Sequence, residues 1–143
     1  MTNIELEDLI NHPIQLKNVD LIFCNLNKDT KFKEDNLKEK VSLNLKTWGE
    51  VDKEDLNIGY SYLNIKITYP NKFDIEMTYR GTCSLDFNIE SDQKYENFLE
   101  TQGLKLLWPY LRVSITDMMI KMDLNPIKLP TIDVLATMKK ANK

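Results

Sequence analysis

Residues 73–89 read FDIEMTYRGTCSLDFNI. Phe73, Ile75, Met77, Tyr79, Cys83, Leu85, Phe87 and Ile89 fill the odd positions, and only Gly81 breaks the series. A two-residue beat kept this long belongs to a strand with one face in a core and the other toward water. A straight strand of that length would exceed about 50 Å, so Gly81 is expected to mark a bend. Just upstream, Pro70-Asn71-Lys72 signals a tight reversal. Before it, Leu63, Ile65, Ile67 and Tyr69 share one face of a segment that begins at Tyr60.

Two more strands precede this pair. Val41, Leu43 and Leu45 alternate cleanly, and the polar stretch after them holds Trp48-Gly49, read as a turn. Ile14 and Leu16, then Val19, Leu21 and Phe23, alternate on either side of a phase slip, the mark of a bulged strand. Residues 27–39 are polar and read as a surface connection anchored by Phe32 and Leu37. Ile4, Leu6, Leu9 and Ile10 allow residues 1–12 to be a short helix or a mobile N-terminus.

The beat changes after Ser91-Asp92, a reasonable helix N-cap. Tyr95, Phe98, Leu99 and Gln102 have helical spacing, and Gly103 is expected to stop or interrupt that helix. A second helix carries the stripe Leu104, Leu107, Trp108, Leu111, Ile115, Met118, Met119 and Met122, with Pro109 in its first turns. Asn125-Pro126 ends it, and Ile127 to Pro130 must be extended, because proline disfavours helix in the residue before it. Thr131 to Met138 reads as a short last helix. Strands followed by helices predict an α+β fold, with an antiparallel sheet covered on one face. The expected form is a single domain, residues 1–143, with four strands, a long C-terminal helix, a proline-bounded lid loop, a short last helix and a basic tail at 139–143.

Composition narrows the function. A net charge of -3 gives no field that would favour nucleic acid. The start, MTNIELEDLI, lacks the basic and apolar regions of a signal peptide, and no apolar run is long enough to span a membrane. Cys24 and Cys83 both lie in apolar alternating segments and read as two buried free thiols, which suits a reducing cytoplasm. His12 is the single histidine, so no zinc spacing exists, and four glycines make no phosphate cradle. No nucleophile is paired with a base, and no cofactor is expected. Asp20 and Glu76 lie within strands and point away from the core-facing residues. They read as a solvated face or an acidic docking surface. The unusual content is apolar: three methionines close the helix stripe, and methionine recurs where one surface accepts many partners. An apolar stripe this long is expected to need more cover than one small sheet gives, which predicts an oligomer.

The segment LLWPYLRVSITDMMIKMDLNPIKLPTIDVLAT, residues 106–137, resembles the C-terminal signature of the SecB export chaperones. KVSLNLKT is similar to that family's second strand, FDIEMTYRGTCSLDFNIE to its fourth and VDLIFCNLN to the end of its first. The resemblance runs over roughly residues 14–138. It implies a cytoplasmic, ATP-independent holdase that assembles as a dimer of dimers and binds unfolded or precursor polypeptides in apolar grooves. The client-groove positions it implies are Leu37, Val41, Leu43, Ile127, Leu129, Ile132 and Leu135. Leu37 replaces a tryptophan usual in the family, and Cys83 a phenylalanine. The oligomer contact would use the helix stripe at Leu107, Leu111, Ile115, Met118, Met119 and Met122. Asp20 and Glu76 match acids by which the family docks on the translocase motor SecA. A third such acid is Cys24 here, and the chain ends in lysines rather than the family's acidic tail, which argues against that docking. Two alternatives stand beside the export reading. One is a dedicated chaperone for a single partner such as an antitoxin; the other is a structural protein that has kept the fold and closed the groove. An enzyme on this scaffold is not expected.

Overall fold

The structure is a computed structural model that describes residues 1–9, 14–32, 41–85 and 92–141. Strands β1 (Ile14–Lys28), β2 (Ser42–Val51), β3 (Ile58–Tyr69) and β4 (Phe73–Leu85) form one antiparallel sheet in the order β1-β4-β3-β2. Helix α1 (Asp92–Lys121) packs on one face, and a strap, residues 122–133, leads to α2 (Val134–Ala141). Within the described residues 1–9, a single 3₁₀ turn forms, Leu6–Asp8. His12, Leu37, Ser91 and the expected end of the fourth strand at Phe87 and Ile89 lie outside the described residues.

The β3–β4 hairpin turns where expected. Asn71 has φ 65° behind Pro70, and Lys72 N–H donates to the Tyr69 carbonyl at 2.9 Å. Proline before a residue of positive φ fits a type II turn, and asparagine tolerates that conformation. Leu63, Ile65 and Ile67 on β3 and Ile75 and Met77 on β4 are wholly buried beneath α1.

β1 slips twice. Lys17 has no counterpart between the Leu16–Cys83 and Asn18–Thr82 pairs, nor Ile22 between Leu21–Tyr79 and Phe23–Thr78. Each extra residue moves the side chains that follow to the other face. The helix-side residues are therefore Ile14, Leu16, Val19, Leu21, Cys24 and Leu26. The sequence shows the first slip only, which put Phe23 inside. The second turns Phe23 outward, 47% exposed, and Cys24 to the helix side, where on the edge strand it is nonetheless exposed and not buried as expected.

Three readings of glycine give way together. Trp48-Gly49 is not a turn but lies within β2, Gly81 continues the β4 ladder, and Gly103 lies inside a single helix that also contains Pro109. No glycine has positive φ, so none serves a turn. What glycine supplies here is room. A Cβ on Gly103 would fall 2.9 Å from Ser61 Cβ, and one on Gly49 2.6 Å from Leu99 Cβ. Gly49, Ser61 and Gly81 are cross-strand neighbours, so the sheet carries a trough of small residues in which α1 sits. Thr47 and Ser61 hydroxyls fasten it there by donating to the Glu100 and Leu99 carbonyls at 2.9 and 2.7 Å.

α1 ends at a Schellman motif, earlier than Asn125-Pro126. Asp123 has φ 57°, its N–H donates to the Ile120 carbonyl at 3.0 Å, and Leu124 N–H donates to the Met119 carbonyl at 2.9 Å. Met119 and Leu124 are buried in the same cluster, the apolar contact that goes with this cap. The described last helix starts at Val134, not Thr131, because Asp133 caps it: Asp133 Oδ1 accepts from Ala136 N–H at 3.0 Å.

The stripe assigned to assembly is corrected by burial. Leu107, Leu111, Ile115 and Met119 are fully buried against the chain's own sheet, and Met118 and Met122 pack half-buried on the same cluster. The sheet face covers Leu107, Leu111, Ile115 and Met119 completely, so none of these four is offered to a partner, and Met118 and Met122 keep part of their surface exposed. The face of α1 that stays exposed carries Tyr110, Val113 and Ile120 instead.

Candidate functional site

The strap is where backbone is held by side chains. Pro126 and Pro130 have no N–H, so this segment cannot run a full strand ladder. Its alternation is nonetheless clear: Ile127 is half-buried, Lys128 exposed, Leu129 buried and Pro130 exposed. Arg112 Nε donates to the Leu129 carbonyl at 3.0 Å, and Trp108 Nε1 to the Pro130 carbonyl at 2.9 Å. Ile127 N–H donates to Met119 Sδ at 3.3 Å, and Lys28 Nζ to the Met122 carbonyl at 2.7 Å. Clefts of about 510 and 450 Å³ open along the strap side of α1, the first reaching Lys128 and Leu129, the second Ile132 and Val134.

Of the groove residues named from sequence, Val41, Ile127 and Ile132 are half-buried and pack on one core cluster with buried Leu129. Leu43, on the edge strand β2 opposite Ile67 of β3, is 44% exposed on the same sheet face. Leu37 lies outside the described residues, and of Leu135 only its place on α2 is described. The burial of Leu129 shows that part of the expected groove wall is part of the chain's own core.

Asp20 and Glu76 both lie on the outer sheet face, each already engaged. Asp20 faces Arg80 across the β1–β4 pair at 3.5 Å, and Glu76 accepts from Asn64 Nδ2 at 3.2 Å beside Lys66. The Asp20–Arg80 pair continues as one row across the sheet: Arg80 opposes Tyr62, and Tyr62 opposes Trp48 with rings stacked at 5.0 Å. Tyr60 donates to Asp52 at 2.7 Å. That bond is the chief reason the Asp52 carboxyl is held below its ordinary range and the Tyr60 phenol above its own. Arg80 Nε is buried in this row without a hydrogen-bond partner, and none of these groups places a nucleophile beside a base. Among the described residues, no group of three His, Cys, Asp or Glu could hold a metal ion, and no helix is long and apolar enough to cross a membrane.

Sequence reasoning missed Trp108 and Arg112 as donors and missed the Trp48–Tyr62–Arg80 row. One signal was available. The chain has 19 basic residues, and only Arg80 and Arg112 are arginine. Both use the guanidinium's fixed donors, Arg112 on a carbonyl and Arg80 on a carboxylate, and Arg80 also lays its planar face over the Tyr60 ring, as lysine cannot.

Neither a family model nor a curated protein matches the chain. Among solved structures, Mycobacterium tuberculosis Rv1957, a SecB-like chaperone in complex with a ChAD peptide from the Rv1956 HigA1 antitoxin, is similar at a TM-score of 0.65 and 12% identity, covering 85% of this chain and 88% of that one. A protein of unknown function from Streptococcus agalactiae gives a TM-score of 0.48 at 9% identity, covering 82% of this chain and 97% of that one. With a four-stranded antiparallel sheet, a long helix and a short last helix, and similar to the first of these over most of both chains, the protein has the SecB-like fold.

Proposed function

We propose that this chain is a chaperone and not an enzyme, holding unfolded polypeptide in the cytoplasm without ATP. One observation carries the reading: edge strand β2 has the exposed Leu43 on its helix-side face, and Val41, just before that strand, packs on the same core cluster as the half-buried Ile127 and Ile132 of the strap. An extended client adds backbone hydrogen bonds to a free strand edge, and alternate side chains enter the apolar rim. Each 100 Å² of apolar client surface covered is worth about 2.5 kcal/mol before the costs of association, so contacts of low specificity suffice. The two free thiols suit a reducing compartment. Copies of the chain associate through the exposed side of α1. Docking on a translocase motor is not part of this reading, because Asp20 and Glu76 have partners within the sheet.

The antitoxin peptide on the neighbour favours a second reading, in which the client is one dedicated partner. One stoichiometric polypeptide co-purifying from the native cell would distinguish it from a general holdase. The general reading is tested by refolding a reduced, slowly folding client beside the chain. Stoichiometric excess is expected to delay refolding and Ile132→Asp to weaken the delay. Refolding at the unassisted rate would refute it.

A further inference from the structure

The strap runs back along α1 toward the helix middle. The oxygens of two consecutive strap residues, Leu129 and Pro130, are taken by two helix side chains one turn apart, Arg112 and Trp108. Arginine and tryptophan are donors only, so each can hold any carbonyl but nothing that is itself a donor. A proline-bounded strap has mainly carbonyls to offer. Any extended polypeptide offers the same groups, whatever its sequence. The two clefts beside the strap also meet at this point: Pro109 and Arg112 line both. The Arg112 side chain, crossing to Leu129, stands between them.

We propose that Trp108 and Arg112 form a latch that binds the strap as an internal stand-in for an extended peptide, and that release of Arg112 joins the two clefts into one peptide groove. From Thr101 in one cleft to Asp117 in the other, α1 rises about 24 Å. That length fits roughly seven residues of extended chain. An incoming segment exchanges its own carbonyls for those of Leu129 and Pro130, so the latch loses no hydrogen bond as it opens. Ile127 N–H leaves only a thioether acceptor, a weak one, when the strap departs. Two hydrogen bonds thus add to the grip that the burial of Leu129 gives the strap, and the groove is gated by the client's own backbone. The peptide-binding half of this inference rests on the chaperone reading; the latch itself does not.

Trp108→Phe removes the indole N–H and keeps an aromatic ring, and Arg112→Met removes the guanidinium and keeps the stem. Amide hydrogen exchange of Ile127 to Ile132 is measured in each variant, with Ile65 and Ile67 of β3 as the control for intact folding. Each variant is expected to speed strap exchange roughly tenfold, the equilibrium equivalent of about one net hydrogen bond, while β3 keeps its wild-type rate. Reduced, carboxamidomethylated α-lactalbumin, which stays unfolded, is the client probe. Its association is expected to speed up severalfold in Trp108→Phe, where the strap leaves more readily and Arg112 remains to hold the client. Unchanged strap exchange in both variants would overturn the latch. Faster exchange with no gain in the association rate would overturn the gated groove. If the wild-type chain holds no client at all, the chaperone reading falls and the exchange rates still decide the latch.

Discussion

Gly103→Ala should destabilise this protein, although the same change in most helix interiors does the opposite. Alanine is favoured over glycine in a helix by about 1 kcal/mol. Against that gain, the new methyl would meet Ser61 Cβ at 2.9 Å, and the Ser61 and Thr47 hydroxyl oxygens at 3.5 Å. These neighbours cannot retreat freely. Ser61 is 1% exposed in the central strand β3, and its hydroxyl is bonded to the Leu99 carbonyl of the same helix. Thr47 is bonded to the Glu100 carbonyl in the same way. Forcing a methyl into a packed seam costs about 1–3 kcal/mol, and one weakened hydrogen bond adds about 1 kcal/mol. The net loss is about 1–3 kcal/mol. Urea unfolding followed by circular dichroism should show the midpoint fall by roughly 0.5–1.5 M, with an unchanged slope. Adding Ser61→Gly removes the opposing Cβ, so the double variant should recover about 1 kcal/mol relative to the sum of the two single changes. A midpoint that rises in Gly103→Ala would refute the reasoning, since it would mean that the seam has space to spare.

Two further outcomes follow from burial. Ellman's reagent should modify one thiol of the native protein rapidly, Cys24, and reach Cys83 only on unfolding. Cys83 is fully buried, and burial pushes its thiol above the ordinary range, so it stays protonated and unreactive as pH rises toward that range. Two thiols reacting at one rate would count against the described packing of β4. Val113→Asp with Ile120→Asp, at positions 65% and 58% exposed, should change monomer stability by no more than about 0.5 kcal/mol each and should lower the sedimentation coefficient. Leu111→Ala, inside the core, should instead cost about 2–5 kcal/mol. A wild-type chain that sediments as a monomer would end the proposal that α1 mediates association.

What was legible in the sequence had a periodic signature with one physical cause. Leu63, Ile65 and Ile67, or Ile75 and Met77, alternate because a strand alternates, and the Pro70-Asn71 turn needs no tertiary context. The α1 stripe was legible as a face. Its partner was not, since periodicity says that Leu107, Leu111 and Ile115 are covered but not by what. The glycines misled because the residue that loosens a backbone is also the smallest, and the sequence does not say which property is in use. Gly49 and Gly103 are distant in sequence and meet at one seam only after folding. The carbonyls held by Trp108 and Arg112 lie 22 and 17 residues further along the chain, too far for any local pattern.

The two unpaired positions in β1 give that strand a tolerance its neighbours lack. Losing Lys17 or Ile22 would leave every flanking residue facing its present side, whereas removing one residue anywhere in the unslipped β2–β3 ladder would turn the remainder of its strand inside out. Length variation among descendants of this chain should therefore collect at those two points of the first strand and be absent from the second and third.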